Sequence, residues 1–409
     1  MTDKEKNFPL LRPNMDLEKN EIKDPLFWGE IQRLENFTNS VLAQRKPTKR
    51  KKVVVRALRE ILGARGTVSE IYKELNESLE EAHRFIQWIY KTYLPVRFEG
   101  VLNSDGLIAE ENDFISLLKK RKNFLKDNSS FLRIREFEAR RALLLTLILF
   151  DLKIHRKKLH LDGVSAQTIT NYLERKFFTN TKIIKKTVLS FHDPANSFRV
   201  VFWHFKDETP PNLVTQKEGL KLKEIELSCR EFQWENKTHL VYYASRDKTR
   251  FSHLIKMFRK DIRDPHASAL DWRGFKLVFF SREALEDGLA KLRKKIFYLP
   301  GMTWKLEDGE FFKNFVNPFT SPRYQVKKFI TTHNGEPCEI IVETIENHLN
   351  GILSCGDENH EFYRARALVN TALPLIFPTK LYQIDWKDKK IKKEIFDVIK
   401  GRLGNIGNK

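Results

Sequence analysis

The chain has 409 residues, of which 41% are hydrophobic and 12% aromatic, and a formal net charge of +20. That is enough apolar material for two or three folded domains, which excludes a disordered polyelectrolyte, while the excess of cations favours a polyanionic partner: a nucleotide, a nucleic acid or an anionic membrane. The three cysteines, Cys229, Cys338 and Cys355, form no CxxC pair and no cluster with histidine, which excludes a disulfide framework and a zinc site.

Residues 1–40 are polar with scattered aromatics and read as a loosely ordered N-terminal arm. The opening MTDKEKNFPLLRPN has no apolar signal core, so a reducing cytoplasm is the expected compartment. Residues 41–184 read as a helical, basic domain. It begins with RKPTKRKK (45–52), a dense basic cluster broken by Pro47, which suits either a solvated linker or an RNA or phosphate contact. VVVRALREILGARG then stops on glycine, and TVSEIYKELNESLEEAHRFIQWIYKTYL has apolar residues at helical spacing with Pro95 just beyond. FEARRALLLTLILFDLKIHRKK and VSAQTITNYLERKFF predict two more helices, the second with Ser165 as N-cap. The longest apolar run, ALLLTLILF (142–150), falls well short of the roughly 20 residues that span a bilayer. It is expected to be a buried core helix, and no membrane partner is expected.

Beyond residue 185 the pattern changes. FRVVFWHF, THLVYYAS, FKLVFFS, QVKKFITTH and CEIIVET are short β-rich runs, separated in part by helical stretches at 250–260, 282–296 and roughly 345–375. The expected class is α+β: a helical domain followed, over 185–380, by a mixed sheet flanked by helices. Residues 381–409 read as a basic amphipathic helix and tail.

Chemistry-bearing residues concentrate in this second half. Asp271 opens the strand in LDWRGFKLVFF, and Glu339 lies within the strand in EPCEIIVET. Two carboxylates on neighbouring strands suit Mg²⁺, which neutralises phosphate oxygens in phosphoryl transfer. YYASRDKTRFSHLIKMFRK (242–260) reads as a strand running into a basic helix. Arg246 and Lys248, two apart on an extended segment, point the same way, and Ser252 and Lys256, four apart on a helix, share a face. Such a set suits a polyphosphate.

In order and spacing these residues resemble the RelA/SpoT-like (p)ppGpp synthetase domain over roughly 185–375. R-x-K-x-x-x-S-x-x-x-K is met by Arg246, Lys248, Ser252 and Lys256. D-x-x-G-x-K follows at Asp271, with Lys276 in place of the family's arginine. Tyr324 resembles the tyrosine of the N-G-Y-x-S-x-H loop, EIIVET at Glu339 resembles E-I-Q-I-R-T, Thr344 and His348 repeat T-x-x-x-H, and HEFYR (360–364) resembles H-W-x-Y-K. The departures fall on the acceptor side: Ile341 and Glu343 replace glutamine and arginine, Lys328 replaces the loop histidine, and Arg323 replaces the glycine before the tyrosine.

The resemblance implies a nucleotidyltransferase-like fold and a pyrophosphokinase. Pyrophosphate would pass from ATP to the 3′-hydroxyl of a guanosine nucleotide, with Asp271 and Glu339 holding Mg²⁺ and Glu339 accepting the hydroxyl proton. It also implies ATP contacts from Arg246, Lys248, Ser252, Lys256 and Lys276, and acceptor contacts from Tyr324, Lys328 and His348. Residues 1–180 contain only His83, His155 and His160 and no His-Asp pair, so the family's hydrolase activity is not expected; His192-Asp193 in FHDPAN reads as a turn. Two other readings stay open: pyrophosphorylation of tRNA 3′ ends, and a non-catalytic RNA- or nucleotide-binding relative.

Overall fold

The computed structural model describes residues 31–98, 111–124, 130–161, 171–180, 182–208, 219–247, 250–260, 273–296, 302–306, 323, 326–333 and 336–405. They form two compact units, each discontinuous in sequence. One comprises Met1–Leu161, Arg250–Ser268 and Ala367–Val398, and the other Asp162–Thr249, Ala269–Arg366 and Ile399–Lys409. The expected Ser165 N-cap lies outside the described residues.

The first unit is helical. Its described helices are α1 (Ile31–Leu42), α2 (Pro47–Leu62), α3 (Val68–Tyr93), α4 (Phe114–Phe124), α5 (Ser130–Leu161) and α6 (Arg250–Lys260), joined by residues near the C-terminus. Residues 31–40, expected in the arm, instead belong to α1. Proline starts α2, where its missing N–H costs nothing, and Gly63 ends it in the left-handed conformation at φ 65°. A capping box opens α3: the Thr67 hydroxyl accepts from the Glu70 amide while the Glu70 carboxylate accepts from the Thr67 amide. Ile71, Leu75, Leu79, Ala82, Phe85 and Ile89 of α3 recur at helical spacing and are buried.

The run Ala142–Phe150 of α5 is buried on every side, as expected of a core helix. Phe251 of α6 sits 5.3 Å from the Phe85 ring and 5.6 Å from the Trp88 ring. The segment after Ala367 closes the unit: Phe377 lies 5.4 Å from Tyr90, Trp386 lies 6.1 Å from Phe98, and Arg141 donates at 2.9 Å to the Ile376 carbonyl. No helix among the described residues is long and apolar enough to cross a membrane.

The second unit is built on a mixed sheet, so the α+β class holds for the chain. Its strands are β1 (Ile184–Asp193), β2 (Arg199–Phe205), β3 (Lys221–Trp234), β4 (Lys237–Asp247), β5 (Arg273–Phe279), β6 (Met302–Leu306), β7 (Lys327–His333) and β8 (Glu336–Thr344). Their order is β2-β1-β3-β4-β5-β8-β7-β6. Every pairing is antiparallel except β5 with β8, which run parallel.

Side chains alternate between the two faces. One face carries Phe275, Leu277, Phe279, Phe329, Ile340 and Val342 into a core with Leu285, Leu289 and Leu292 of α7 (Arg282–Lys295). Gly288 allows α7 this close an approach, because a Cβ there would overlap the Phe279 ring. On the other face Val188, Leu227, Cys229 and Val278 pack against Ile345 and Leu349 of α8 (Ile345–Leu353). His192 and Asp193 end β1, and Pro194–Asn196 forms a 3-10 turn behind them.

Candidate active site

The site is the stretch of this second face around the parallel pair. Since Cys338, Ile340 and Val342 enter the core, Glu339, Ile341 and Glu343 face the other way. The register continues that face across four strands. Gly274, Lys276 and Val278 of β5 stand opposite Glu339, Ile341 and Glu343. Arg246 and Ala244 of β4 stand opposite Gly274 and Lys276, and Lys328 of β7 stands opposite Ile341. Arg246, Lys276, Glu339 and Lys328, far apart in sequence, therefore occupy positions on one face.

Two ionic contacts organise it. Glu339 is buried, with its Oε1 3.6 Å from the Lys328 ammonium. Glu343 is fully buried, and its Oε1 receives both the Lys276 ammonium at 2.7 Å and His348 Nδ1 at 2.9 Å. His348 projects from the first turns of α8, which Thr344 caps through the Asn347 amide, and the Tyr242 ring lies 5.3 Å from its imidazole. Burial alone would push the Glu343 carboxyl up. The adjacent Lys276 and the His348 hydrogen bond outweigh it and hold that carboxyl well below the usual carboxylate range. Glu343 is thus an internal anion between a lysine ammonium and a histidine ring.

Glu343 was recognisable in the sequence only as a departure from the resembled motif, as was Lys276. The structure brings the two departures into contact. An acid on β8 faces a lysine on β5, so the pair balances its own charge. The signal lay in the combination, an acid and a base at alternate positions of two β-rich runs, and single-strand reading does not expose it. Lys276, expected on ATP phosphates, is engaged by Glu343.

Of the other expected site residues, Ser252 and Lys256 lie on α6, in the first unit. Lys248, Asp271 and Tyr324 lie outside the described residues. The strand Asp271 precedes, β5, is the parallel neighbour of the strand carrying Glu339. Among the described residues no group of three or more His, Cys, Asp or Glu side chains could hold a metal ion. Comparison of the chain with protein-family models, curated proteins and solved structures gave no match.

Proposed function

We propose that the chain is a nucleotide pyrophosphokinase that moves pyrophosphate from ATP to the 3′-hydroxyl of a guanosine nucleotide. The observation that carries this reading is the single sheet face on which Glu339, Lys328, Lys276 and the Arg246 position are aligned across β4, β5, β8 and β7. A polyphosphate laid over that face meets Lys328 of β7 and, in this reading, Arg246 of β4, while Lys276 stays with Glu343, and strands hold such groups more rigidly than loops do.

The metal requirement fits the same residues. Mg²⁺ is commonly held by one or two carboxylates with the remaining positions filled by phosphate oxygens and water. Glu339 supplies one such carboxylate, and Asp271, just before β5, is the second in this reading. When bound, the ion neutralises the phosphate oxygens. Lys328 holds the Glu339 carboxylate in place, and Glu339 accepts the proton of the attacking hydroxyl. The hydroxyl oxygen bonds to the β-phosphorus, the bond from that phosphorus to the α,β-bridging oxygen breaks, and AMP leaves.

The test is incubation with ATP labelled in its γ-phosphate, with guanosine nucleotides in one reaction and bulk tRNA in another. The expected result is label in a small guanosine product, lost by about a hundredfold or more in Glu339→Gln. Label in RNA would move the acceptor to tRNA. No transfer to either acceptor would overturn the enzyme reading.

A further inference from the structure

Six of the eight residues 45–52 are cationic, and residues 36–59 contain no Asp or Glu. These cations surround the start of α2, with no acidic residue in its first turn. That arrangement costs stability. The N-terminal end of a helix carries partial positive charge and repels cations, and like charges three or four residues apart repel one another. Some exposed cations elsewhere are matched with acids: Arg56 with Glu60 at 2.8 Å, Lys185 with Glu226 at 2.9 Å, and Lys206 with Glu224 at 3.0 Å.

Arg50 donates to the Gln44 carbonyl at 2.7 Å, and the Lys51 ammonium lies 4.7 Å from the Tyr72 ring centre. Arg45, Lys46, Lys49 and Lys52 are exposed, and their side chains make no ion pair or hydrogen bond among the described residues. Four cations without a partner among the described residues therefore share one short surface.

We infer that this surface docks the phosphate backbone of double-helical RNA. The apolar side of α2, formed by Val54, Val55, Leu58 and Leu62, is buried within the unit, so no apolar face is left to enter a bilayer. Tyr72 is buried, so it offers no ring for stacking single-stranded bases. Phosphate contact guided by shape is the mode by which duplex RNA is bound. The inference concerns binding alone and does not depend on the pyrophosphokinase reading.

The test measures anisotropy of a fluorescein-labelled RNA hairpin of about 16 base pairs with the full chain and with Lys49→Ala/Lys52→Ala, between about 50 and 200 mM salt. The double variant is expected to bind about tenfold more weakly at the low-salt end, and to lose roughly 1.8 from the magnitude of the slope of log affinity against log salt, about 0.9 per phosphate contact. Its thermal midpoint is expected to equal or exceed that of the wild type, because repulsion at the helix start has been removed; a structural role would lower it. Unchanged affinity and slope, or a lowered midpoint, overturns the inference. So does tighter binding of the matching DNA duplex, or attachment to anionic phospholipid vesicles that the substitutions abolish.

Discussion

At the scale of single residues, the centre of the candidate site is Glu343. A fully buried carboxylate is tolerable only while its partners remain, so Lys276→Met should cost about 3–5 kcal/mol by leaving that charge uncompensated. Adding Glu343→Gln removes the charge yet keeps an acceptor for His348, and the double variant should recover most of the loss. Urea denaturation of both proteins checks this. A single variant within about 1 kcal/mol of wild type would show the pair to be dispensable. Because the Glu343 carboxyl is depressed in the folded state, its contribution is full above its unfolded value of 4.5 and is lost as pH falls below it.

The site was partly legible in the sequence at this scale. Glu339 and Lys328 were named from their motif contexts and lie 3.6 Å apart. The contact of Glu343 with Lys276 was not foreseen, because it depends on the β5–β8 register, and parallel partners 65 residues apart, from Arg273 with Cys338 to Phe279 with Thr344, leave no local trace of which positions align.

At the scale of elements, runs dense in β-branched and aromatic residues gave away β2, β4, β5, β7 and β8, a glycine stop gave away the end of α2, and apolar residues at helical spacing with Pro95 beyond gave away α3. β3 escaped because Lys221, Lys223, Glu224 and Glu226 put charge through its first half, and β1 because Lys185 and Lys186 interrupt its start; both strands have one partly solvated side. The helix expected over roughly 345–375 is interrupted at Ser354–Asn359, where the Ser354 hydroxyl and the Asn359 side chain bond to backbone carbonyls in place of a continuing helix.

The turn from β1 to β2 carries its own prediction. The register slips between Phe191 and His192, and Ser197 and Phe198 both adopt positive φ, 53° and 54°. His192 ties the turn together. Its Nδ1 lies 2.8 Å from the Phe198 carbonyl, which can only accept, so Nδ1 carries the proton, and Nε2 lies 2.9 Å from the Ser190 hydroxyl, which the Lys223 carbonyl also engages at 3.2 Å. Burial lowers the His192 pKa to about 4 from 6.5; the Phe198 carbonyl opposes the shift and Lys223 adds to it. A neutral buried histidine stabilises fully above its unfolded pKa, so this contribution should erode as pH falls from 6.5 towards 4, by up to about 3 kcal/mol. Denaturation curves across that window should flatten in His192→Gln. An equally steep fall in the variant would assign the acid sensitivity elsewhere.

At the scale of the whole molecule, neither compact unit corresponds to one uninterrupted stretch of chain. Arg141 shows what that means for the helical unit. Its guanidinium is buried, donates to the Ile376 carbonyl at 2.9 Å and approaches the Tyr382 hydroxyl at 3.4 Å, and the same tyrosine hydroxyl lies 3.3 Å from Glu138. A fragment ending at Leu161 retains Arg141 and Glu138 but loses both later partners. Expressed alone it should unfold over a broad range and bind a hydrophobic dye, where the full chain melts sharply. A sharp transition at the full-chain midpoint would mean that the N-terminal helices are self-sufficient.

The same contacts set a timetable for the ribosome. Arg141 and the Ile376 carbonyl that satisfies it are 235 residues apart, so at about 5–20 residues per second the arginine waits roughly 10–50 s for its partner to be made. For most of that interval α3 and α5 are complete and the closing segment is still absent. A nascent chain in that state is a natural client for a holding chaperone, and slowing translation should raise the share lost to aggregation rather than help the protein fold.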